Sequence, residues 1–284
     1  MNSLTATDNY ANLLLSLPEL KPITVLSVFF LTIARILPIM VQAPFLGAKN
    51  LPMLVRMMFS VALVAIFLPQ NLLSVSREIP YDTSWIGLMC KELLIGLCLG
   101  FLASGPFLIA QMSGTLIEHS RGASSLQIND PMTQSQTSPI GLLFNYVLIA
   151  IFFLLGGPFL FFEGLAESYQ IVPVDKMFNE SFFNVHQPFW KTAFSFGDYA
   201  MTLSVQLAAP ALIGILLTDM FLGIANRLAP QVQIVFLGIS LKSWVGIALL
   251  AASWILVIQV MGRESISWIK ALNRLIHGAG QFLT

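Results

Sequence analysis

Six long apolar segments restrict the fold of this 284-residue chain more than any other feature of the sequence. Most of them reach the length of about 20 residues that a helix needs to cross the hydrocarbon layer of a bilayer. Hydrophobic residues make up 56% of the chain and charged residues 10%, which is incompatible with an ordinary soluble surface. The segments are Ile23–Val41, Met53–Leu68, Ile86–Met112, Ile140–Phe162, Tyr199–Asn226 and Val232–Met261.

The segments predict an all-α integral membrane protein. Open strands would leave backbone groups without hydrogen bonds in lipid, and the strict alternation of a membrane barrel is missing. Ile140–Phe162 contains no charge and is the most conventional spanning candidate. Met53–Leu68 is the weakest candidate, because it is short, contains Arg56 and stops at Pro69.

Prolines and glycines within the segments predict bent helices that pack closely. Gly96 and Gly100 have the small-xxx-small spacing that lets two helix backbones approach. Proline removes a helical hydrogen bond and kinks or breaks the helix around it. Prolines lie within or next to the apolar runs at Pro38, Pro106, Pro158 and Pro210.

Ionisable residues inside the apolar segments are the most informative positions, since a charge in lipid is costly and usually faces protein or water. One interpretation is a conduit or a subunit interface; the alternative is internal ion pairing or snorkelling, which suits Lys91 and Glu92 near a segment start. Both remain open for the deeper positions. The set is Arg35, Arg56, Lys91, Glu92, Asp219 and Lys242.

No motif in the sequence indicates catalysis, a cofactor or a metal site. Phosphate-binding glycine loops, His-Glu-x-x-His, Gly-x-Ser-x-Gly and cysteine arrays are all missing. The formal net charge is zero, with 14 basic and 14 acidic residues, so a nucleic-acid partner is not expected. We therefore expect a protein that is not an enzyme and carries no cofactor.

Two parts of the chain differ in character from the apolar segments, which we place in a membrane-embedded domain of residues 1–262. The connection of about residues 113–139 is rich in Gly, Ser, Thr, Gln and Asn, which fits either a solvated surface loop or a flexible element that blocks a passage. Residues 263–284 form an amphipathic tail, which suits a helix on the membrane surface or on a partner. The distribution of Lys and Arg predicts that both termini are cytoplasmic.

Three groups of motifs occur in a fixed order along the chain. The first is Arg35-Ile-Leu-Pro38, with Pro44 and Arg56. The second lies in the polar connection: Gly114, Glu118, Gly122, Asp130-Pro131 and Ser138-Pro139. The third comprises Asp219-Met-Phe-Leu-Gly223, Asn226-Arg227-Leu-Ala-Pro230-Gln231-Val232-Gln233 and Gly238-Ile-Ser-Leu241-Lys242.

Together these motifs resemble the family of injectisome SctT and flagellar FliR proteins. The resemblance covers most of the chain, but not the first twenty residues or Glu163–Asp198. The polar connection departs from the family pattern in Arg121 beside Gly122 and in the run Thr133–Ser138. The Gln136-Thr-Ser138-Pro139 sequence favours the injectisome branch over the flagellar one.

The resemblance implies a structural and gating component of the type III secretion export gate, at the channel entrance for unfolded secreted proteins. Kinked helical hairpins would pack in a helical hetero-oligomer with P/R-type and Q/S-type membrane subunits. An autoprotease-type export switch subunit, the secreted polypeptides and the lipid bilayer would be the other partners. The location would be the bacterial inner membrane, with part of the assembly at periplasmic level.

The resemblance also implies roles for individual residues. In the gate or plug loop these are Gly114, Glu118, Arg121, Gly122, Asp130, Pro131 and Pro139. In the packing of helices and subunits they are Arg35, Pro38, Arg56, Asp219, Gly223, Arg227, Pro230, Gln231 and Lys242. Within the second set, Arg35, Asp219, Arg227 and Lys242 would pair across helices or subunits, and Pro230-Gln231 would set a turn.

Two other classes of protein compete with this interpretation. A small-molecule or ion transporter would also place charges at mid-depth and break its helices near a site, but it usually shows an internal repeat, and none is evident here. An intramembrane enzyme would need paired catalytic side chains at membrane depth, and the sequence offers only isolated candidates.

Overall fold

The structure, a computed structural model, describes residues 22–47, 51–75, 79–122, 128–129, 136–177, 188–228 and 234–280, and this part is almost entirely helical. The predicted all-α class is therefore confirmed. A short 3-10 helix, Pro44–Leu46, follows the first helix. The helices are α1 (Pro22–Gln42), α2 (Met53–Ser74), α3 (Thr83–Ser120), α4 (Pro139–Leu154), α5 (Gly157–Ile171), α6 (Pro188–Leu228), α7 (Ile234–Ala252) and α8 (Trp254–Gly280).

Within the described residues, β structure is limited to two short strands between α3 and α4. These are β1 (Ile128–Asn129) and β2 (Gln136–Thr137), which pair antiparallel with Ile128 opposite Thr137. Two residue pairs are too few to stand alone as a sheet. Both strands belong to the connection between α3 and α4.

Four helices in the described part of the chain are long and apolar enough to cross a membrane: α1, α2, α3 and the Ser195–Leu228 part of α6. Two bent helix pairs, α4 with α5 and α7 with α8, raise the number to six if each pair counts as one span. The prediction of about six apolar membrane segments is confirmed at this level.

Both bent pairs are interrupted at residues other than proline. The axes of α4 and α5 differ by 75°, and Gly156 between them has a φ of 74°, which suits glycine. The axes of α7 and α8 differ by 63° around Ser253, whose hydroxyl donates to the Leu249 carbonyl at 2.8 Å. The expectation that Ile140–Phe162 is the most conventional span is therefore wrong, because Gly156 ends its first helix.

Of the four prolines expected to bend or break helices, Pro158 is the second residue of α5, directly after the 75° break, and the other three lie inside continuous helices. Pro38, Pro106 and Pro210 are interior residues of α1, α3 and α6. The expectation that the second segment stops at Pro69 is also wrong, since α2 continues to Ser74. The last turn is held because Asn71 donates to the Thr32 hydroxyl of α1 at 3.0 Å and Leu72 is buried.

The chain divides into two compact units, which are described separately. Unit 1 comprises residues 1–103, 161–190 and 272–284, and unit 2 comprises residues 104–160 and 191–271. Buried aliphatic residues of α1 form the centre of unit 1, with Phe45 packed edge-on against Phe161. In unit 2, Phe107 packs edge-on against Phe152, and both rings are buried.

The boundary expected between residues 262 and 263 falls inside α8, which is a continuous helix from Trp254 to Gly280. One face of this helix is buried within the chain, and the role of residues 263–284 on a membrane surface or a partner stays a prediction. The buried residues recur every three or four positions, as on one helical face. They are Val257, Met261, Ser265, Ile269 and Leu272.

Candidate functional site: two groups of buried charges

The most completely paired polar site lies in unit 1, where Arg35 of α1 contacts Glu92 of α3. Arg35 Nε donates to Glu92 Oε2 at 2.5 Å, and Nη2 donates to Oε1 at 2.9 Å. This two-point geometry is the strong form of an arginine–carboxylate contact. Both side chains are 0% exposed. Of the two alternatives left open for Arg35, internal ion pairing is the one observed.

Oxygen atoms at the end of α5 accept the remaining guanidinium hydrogens. Arg35 Nη1 donates to the Ser168 carbonyl at 2.9 Å and its hydroxyl at 3.1 Å, and Nη2 donates to the Val172 carbonyl at 2.8 Å. The Tyr169 ring lies over the guanidinium, with its centroid 4.1 Å from Cζ. All five N–H groups of this arginine therefore have an acceptor.

Lys91 brings a second cation to the same carboxylate. Its Nζ lies 2.7 Å from Glu92 Oε1 and donates to the carbonyls of Pro173 and Lys176, each at 2.8 Å. These carbonyls follow the C-terminus of α5, where the helix dipole favours positive charge. Of internal ion pairing and snorkelling, the two possibilities considered for Lys91 and Glu92, internal ion pairing is the one observed, because both side chains are buried inside the chain.

The charges of this cluster balance. Two cations, Arg35 and Lys91, share the carboxylate of Glu92, and Asp175 is a second buried acid close enough to interact with Lys91. A buried charge without such compensation would be costly. The cluster fastens α1, α3 and the end of α5 to one another.

Gly96, one turn beyond Glu92, brings α3 against α1 at the same level. A Cβ atom at Gly96 would overlap the carbonyl oxygen of Arg35, and one at Gly100 would lie 3.1 Å from the Ile39 Cα. The close backbone approach predicted for this glycine pair is confirmed. Pro38 lies between these two contacts on α1, and Gln42 Nε2 donates to its carbonyl at 3.4 Å.

Unit 2 contains a second group of charges at the C-terminal end of α3. Glu118 and Arg121 are both buried, and Arg121 Nη2 lies 3.4 Å from Glu118 Oε1. Arg121 Nη1 reaches the Ser243 hydroxyl of α7 at 3.3 Å. Among the described residues, Glu118 Oε2 and Arg121 Nε have no hydrogen-bond partner. This group is therefore less completely satisfied than the Arg35 cluster.

The residues assigned to the plug loop lie elsewhere in the structure than expected. Because α3 continues to Ser120, Gly114 and Glu118 lie in a helix and not in a loop. Gly114 packs on the first turn of α4, where a Cβ would come within 2.5 Å of the Gly141 nitrogen. Pro139 is the first residue of that helix, and the Ser138 hydroxyl caps it by accepting from Gly141 N–H at 2.9 Å.

The end of α3 is marked by Gly122, which has a φ of 78°. Asp130 and Pro131, also assigned to the loop, lie outside the described residues. The same holds for Pro230 and Gln231 between α6 and α7.

Asp219 of α6 and Lys242 of α7 form an ion pair in unit 2. Their side chains are 43% and 26% exposed, so this pair is accessible where the Arg35 cluster is not. Gly223 and Arg227, one and two turns further along α6, are both exposed. A Cβ at Gly223 would meet no described atom of the chain within 4 Å, so its predicted packing role stays a prediction about another molecule.

Arg56 is half-buried near the start of α2, and its carbonyl accepts from the Ser60 hydroxyl at 2.8 Å.

Among the described residues, no three His, Cys, Asp or Glu side chains are placed to hold a metal ion.

Sequence reasoning missed a contact in unit 2, between Tyr199 and Glu264. The Tyr199 hydroxyl donates to Glu264 Oε2 at 3.0 Å, and its ring stacks on Trp268 with centroids 5.3 Å apart. Glu264 and Trp268 are one helical turn apart in α8, which is the only sequence signal that could have suggested a shared face.

Comparison with known proteins agrees with the motif pattern. The family model described as bacterial export proteins, family 1, matches residues 26–266. The secretion system apparatus protein SsaT of Salmonella typhimurium is 33% identical over 215 residues, which are 75% of this chain and 79% of that protein. The flagellar biosynthetic protein FliR of Bacillus subtilis is 31% identical over 234 residues, 82% and 85% of the two chains. The Yop proteins translocation protein T of Yersinia pestis is 36% identical over 177 residues, which are 61% of this chain and 63% of that protein.

Proposed function

Because this chain belongs to the bacterial export proteins, family 1, and within it to the type III secretion SctT and flagellar FliR family, we propose that it is a structural and gating component of a protein export gate. It would form part of the channel entrance through which unfolded secreted polypeptides pass. No bond is made or broken in this role, so the chain would act by position and movement.

The observation that carries the proposal is the contrast between satisfied buried charges and uncovered apolar faces. Arg35 and Glu92 are fully enclosed, whereas only 22% of the most apolar window of α2 and 33% of that of α6 are buried inside the chain. Such faces need lipid or other subunits to cover them. We assign them partly to P/R-type and Q/S-type gate subunits and partly to acyl chains of the bacterial inner membrane.

The enclosed cluster also argues against the competing transporter reading. A transporter exposes its mid-depth charges to a passage at some stage of its cycle. Here the carboxylate of Glu92 is shared by two cations, and carbonyls of α5 and of the segment after it accept the rest of their hydrogens. Opening this site to a solute would leave several buried charges unpaired at once.

Gating would use the connection between α3 and α4, whose two ends are fixed to each other. Near the end of α3, Gly114 packs on Gly141 of α4, and the connection finishes at Ser138, which caps the N-terminus of α4. Arg121 makes only long hydrogen bonds, to Ser243 of α7 at 3.3 Å and to Glu118 of α3 at 3.4 Å. We propose that the stretch between these anchors closes the pore at rest and that breaking the Arg121 contacts accompanies opening.

Gentle detergent extraction of the tagged chain from the native membrane tests the proposal. We expect a defined hetero-oligomer that contains the P/R-type and Q/S-type subunits, and loss of protein secretion when the gene is deleted. A self-sufficient monomer that moves a small solute in proteoliposomes would overturn it.

The same deletion strain distinguishes the two branches of the family. Two relatives whose names specify a secretion apparatus and Yop translocation support the injectisome branch, as does the Gln136-Thr-Ser138-Pro139 sequence. We expect loss of effector secretion with normal swimming. Loss of swimming with unchanged effector secretion would assign the chain to the flagellar system.

A further inference from the structure

A groove of about 350 Å³ lies on unit 2 between α6 and α8, lined by side chains from residues 199–207 and 256–264. Because the Tyr199 hydroxyl donates to Glu264, the two stretches run in opposite directions, and Leu207 and Leu256 lie at the other end. Each stretch is about 12 Å long. Arg121 does not line this groove, so the proposed gating contacts leave it without a role.

The two ends of the groove lie at different expected depths in the membrane. Tyr199 is the first residue of the fifth apolar segment, and Arg263 and Glu264 follow directly after the sixth, which ends at Met261. This end therefore belongs at the level of the lipid headgroups, where tyrosine is also favoured. Leu207 lies about 12 Å deeper along α6, at the level of the acyl chains.

The floor of the groove is apolar and its α6 rim is polar. Leu203, Leu207 and Val257 are buried and form the floor. Thr202 and Gln206 lie one turn apart on the rim, and both are exposed. The groove thus offers hydrogen-bond donors above a surface that suits hydrocarbon.

Arg263 and Glu264 place one charge of each sign at the shallow end. Arg263 Nε lies 3.4 Å from Glu264 Oε1, and within the described part of the chain the guanidinium makes no other contact. The Arg263 side chain is 75% exposed, and an exposed pair of this kind contributes little stability by itself. Four guanidinium N–H groups therefore remain for another acceptor. Glu264 is held in place by Tyr199 through its second oxygen.

We infer that this groove binds a zwitterionic phospholipid whose headgroup carries a primary ammonium, as in phosphatidylethanolamine. Its phosphate would accept from the Arg263 guanidinium, and its ammonium would donate to Glu264. Thr202 and Gln206 would donate to the ester oxygens of the glycerol region. An acyl chain would cover the buried floor and the exposed side chain of Leu256.

Charge complementarity selects this class of lipid. An anionic headgroup has no cation for Glu264 and would bring a second negative charge beside it. A choline headgroup has the same net charge but no N–H to donate. A partner helix, which is about 10–12 Å across with its side chains, is too wide to be enclosed by a groove of this volume.

The inference rests on the chain being an integral membrane protein and not on its proposed role as a gate component. The two can therefore fail independently. The test uses the delipidated full-length chain in mild detergent, followed by native mass spectrometry and thermal unfolding. The probes are phosphatidylethanolamine, phosphatidylcholine, phosphatidylglycerol and soluble glycerophosphoethanolamine. We expect retained phosphatidylethanolamine and a raised Tm, with little effect of the other three.

Two charge variants test the two halves of the headgroup site. E264Q keeps an acceptor for the Tyr199 hydroxyl but loses the negative charge, so it should weaken phosphatidylethanolamine binding about ten-fold without weakening that of phosphatidylglycerol. R263Q should weaken the binding of both lipids. R227Q is the control for removal of a cation, because Arg227 is exposed on α6 and does not line the groove.

T202W is a steric variant that keeps both charges and fills the groove, and it should abolish lipid retention. S267W is its matched control, since Ser267 is exposed on α8 outside the groove. Equal binding of any other probe would overturn the inference, as would unchanged phosphatidylethanolamine binding by E264Q or T202W. Lipid retained by the isolated chain but missing from the extracted hetero-oligomer would also overturn it, since the groove would then be a subunit contact.

Discussion

Arg35 and Glu92 face each other across α1 and α3 with hydrogen bonds of 2.5 and 2.9 Å, and neither side chain is exposed. The same carboxylate also contacts Lys91, so one acid is shared by two cations. This sharing makes the acid the centre of the cluster, because its removal leaves two buried charges without their partner.

Replacing Glu92 with Gln should therefore cost more stability than almost any other single change in unit 1. Breaking a buried pair costs about 3–5 kcal/mol, since the remaining charge is left uncompensated. Thermal unfolding of the purified variant in detergent measures the effect. The double variant R35M/E92L should recover part of the loss because it removes both members of the strongest contact; R227Q, at an exposed position, should change little. An E92Q variant as stable as the parent would contradict this reading.

Gly96→Ala should destabilise the chain although alanine favours helices. The new Cβ would overlap the Arg35 carbonyl oxygen, and inserting atoms into a packed contact costs about 1–3 kcal/mol. Gly197→Ala is the matched control, since a Cβ there meets no described atom within 4 Å. Thermal unfolding in detergent should show a lower Tm for Gly96→Ala and an unchanged or higher Tm for Gly197→Ala. An equal decrease in Tm for both variants would count against the close approach of Gly96 to the Arg35 backbone.

Asp219 and Lys242 should show a small but measurable coupling. Their side chains are partly exposed, so the pair is expected to contribute about 0.5–1 kcal/mol in detergent. A double-mutant cycle with Asp219→Ala and Lys242→Ala measures it. In the membrane each single variant leaves a charge without its partner, so secretion should fall and the exchange D219K/K242D should restore part of it. Full secretion by both single variants would show that the contact is dispensable.

Gly223→Leu should separate chain stability from assembly. A side chain at this exposed position meets no described atom of the chain, and leucine favours a helix over glycine, so the isolated protein should unfold at an unchanged or higher temperature. If α6 packs here on another subunit, the same variant should lower the yield of hetero-oligomer on a native gel. Normal assembly would remove Gly223 from the set of packing residues.

Arg121→Gln should increase ion leakage at rest, if the Arg121 contacts hold the gate closed. The change leaves the buried Glu118 without its cation, which costs about 1–3 kcal/mol of local stability. Arg121→Lys should rescue only partly, because one ammonium group cannot span Glu118 and Ser243 as the guanidinium does. Membrane-potential dye measurements in cells would reveal the leak; a tight membrane in both Arg121 variants would argue against a role of the Arg121 contacts in holding the gate closed.

The sequence predicted the helical class, the number of apolar segments and the existence of partners for Arg35, because lipid imposes strong limits on composition and on charge. It did not predict where helices end. Pro69 was expected to stop α2, yet proline costs a helix only one hydrogen bond and some bending when neighbours such as Asn71 hold the next turn. The break at Gly156 does have a signal, the Gly156-Gly157-Pro158 sequence, whereas the break at Ser253 has no comparable signal in composition.

The sequence also did not predict whether Lys91 and Glu92 lie at a membrane surface or inside the protein. Because Lys91 and Glu92 lie near the start of an apolar run, the sequence left internal ion pairing and snorkelling to an interface both open for them. In the structure α3 has 38 residues and is about 57 Å long, so its first polar residues need not lie at a membrane surface. The carbonyls of Ser168 and Val172 that complete the cluster are backbone groups, which no side-chain pattern can indicate.

The same cluster has a consequence for biogenesis. Arg35 leaves the ribosome 57 residues before Glu92 and 133 residues before Ser168. A nascent α1 therefore reaches the translocon with a naked guanidinium, whose insertion alone is unfavourable by about 2.5–3.5 kcal/mol. The carboxylate that compensates this charge becomes available only once α3 has been synthesised, which favours insertion of the first three helices as a group over insertion one by one.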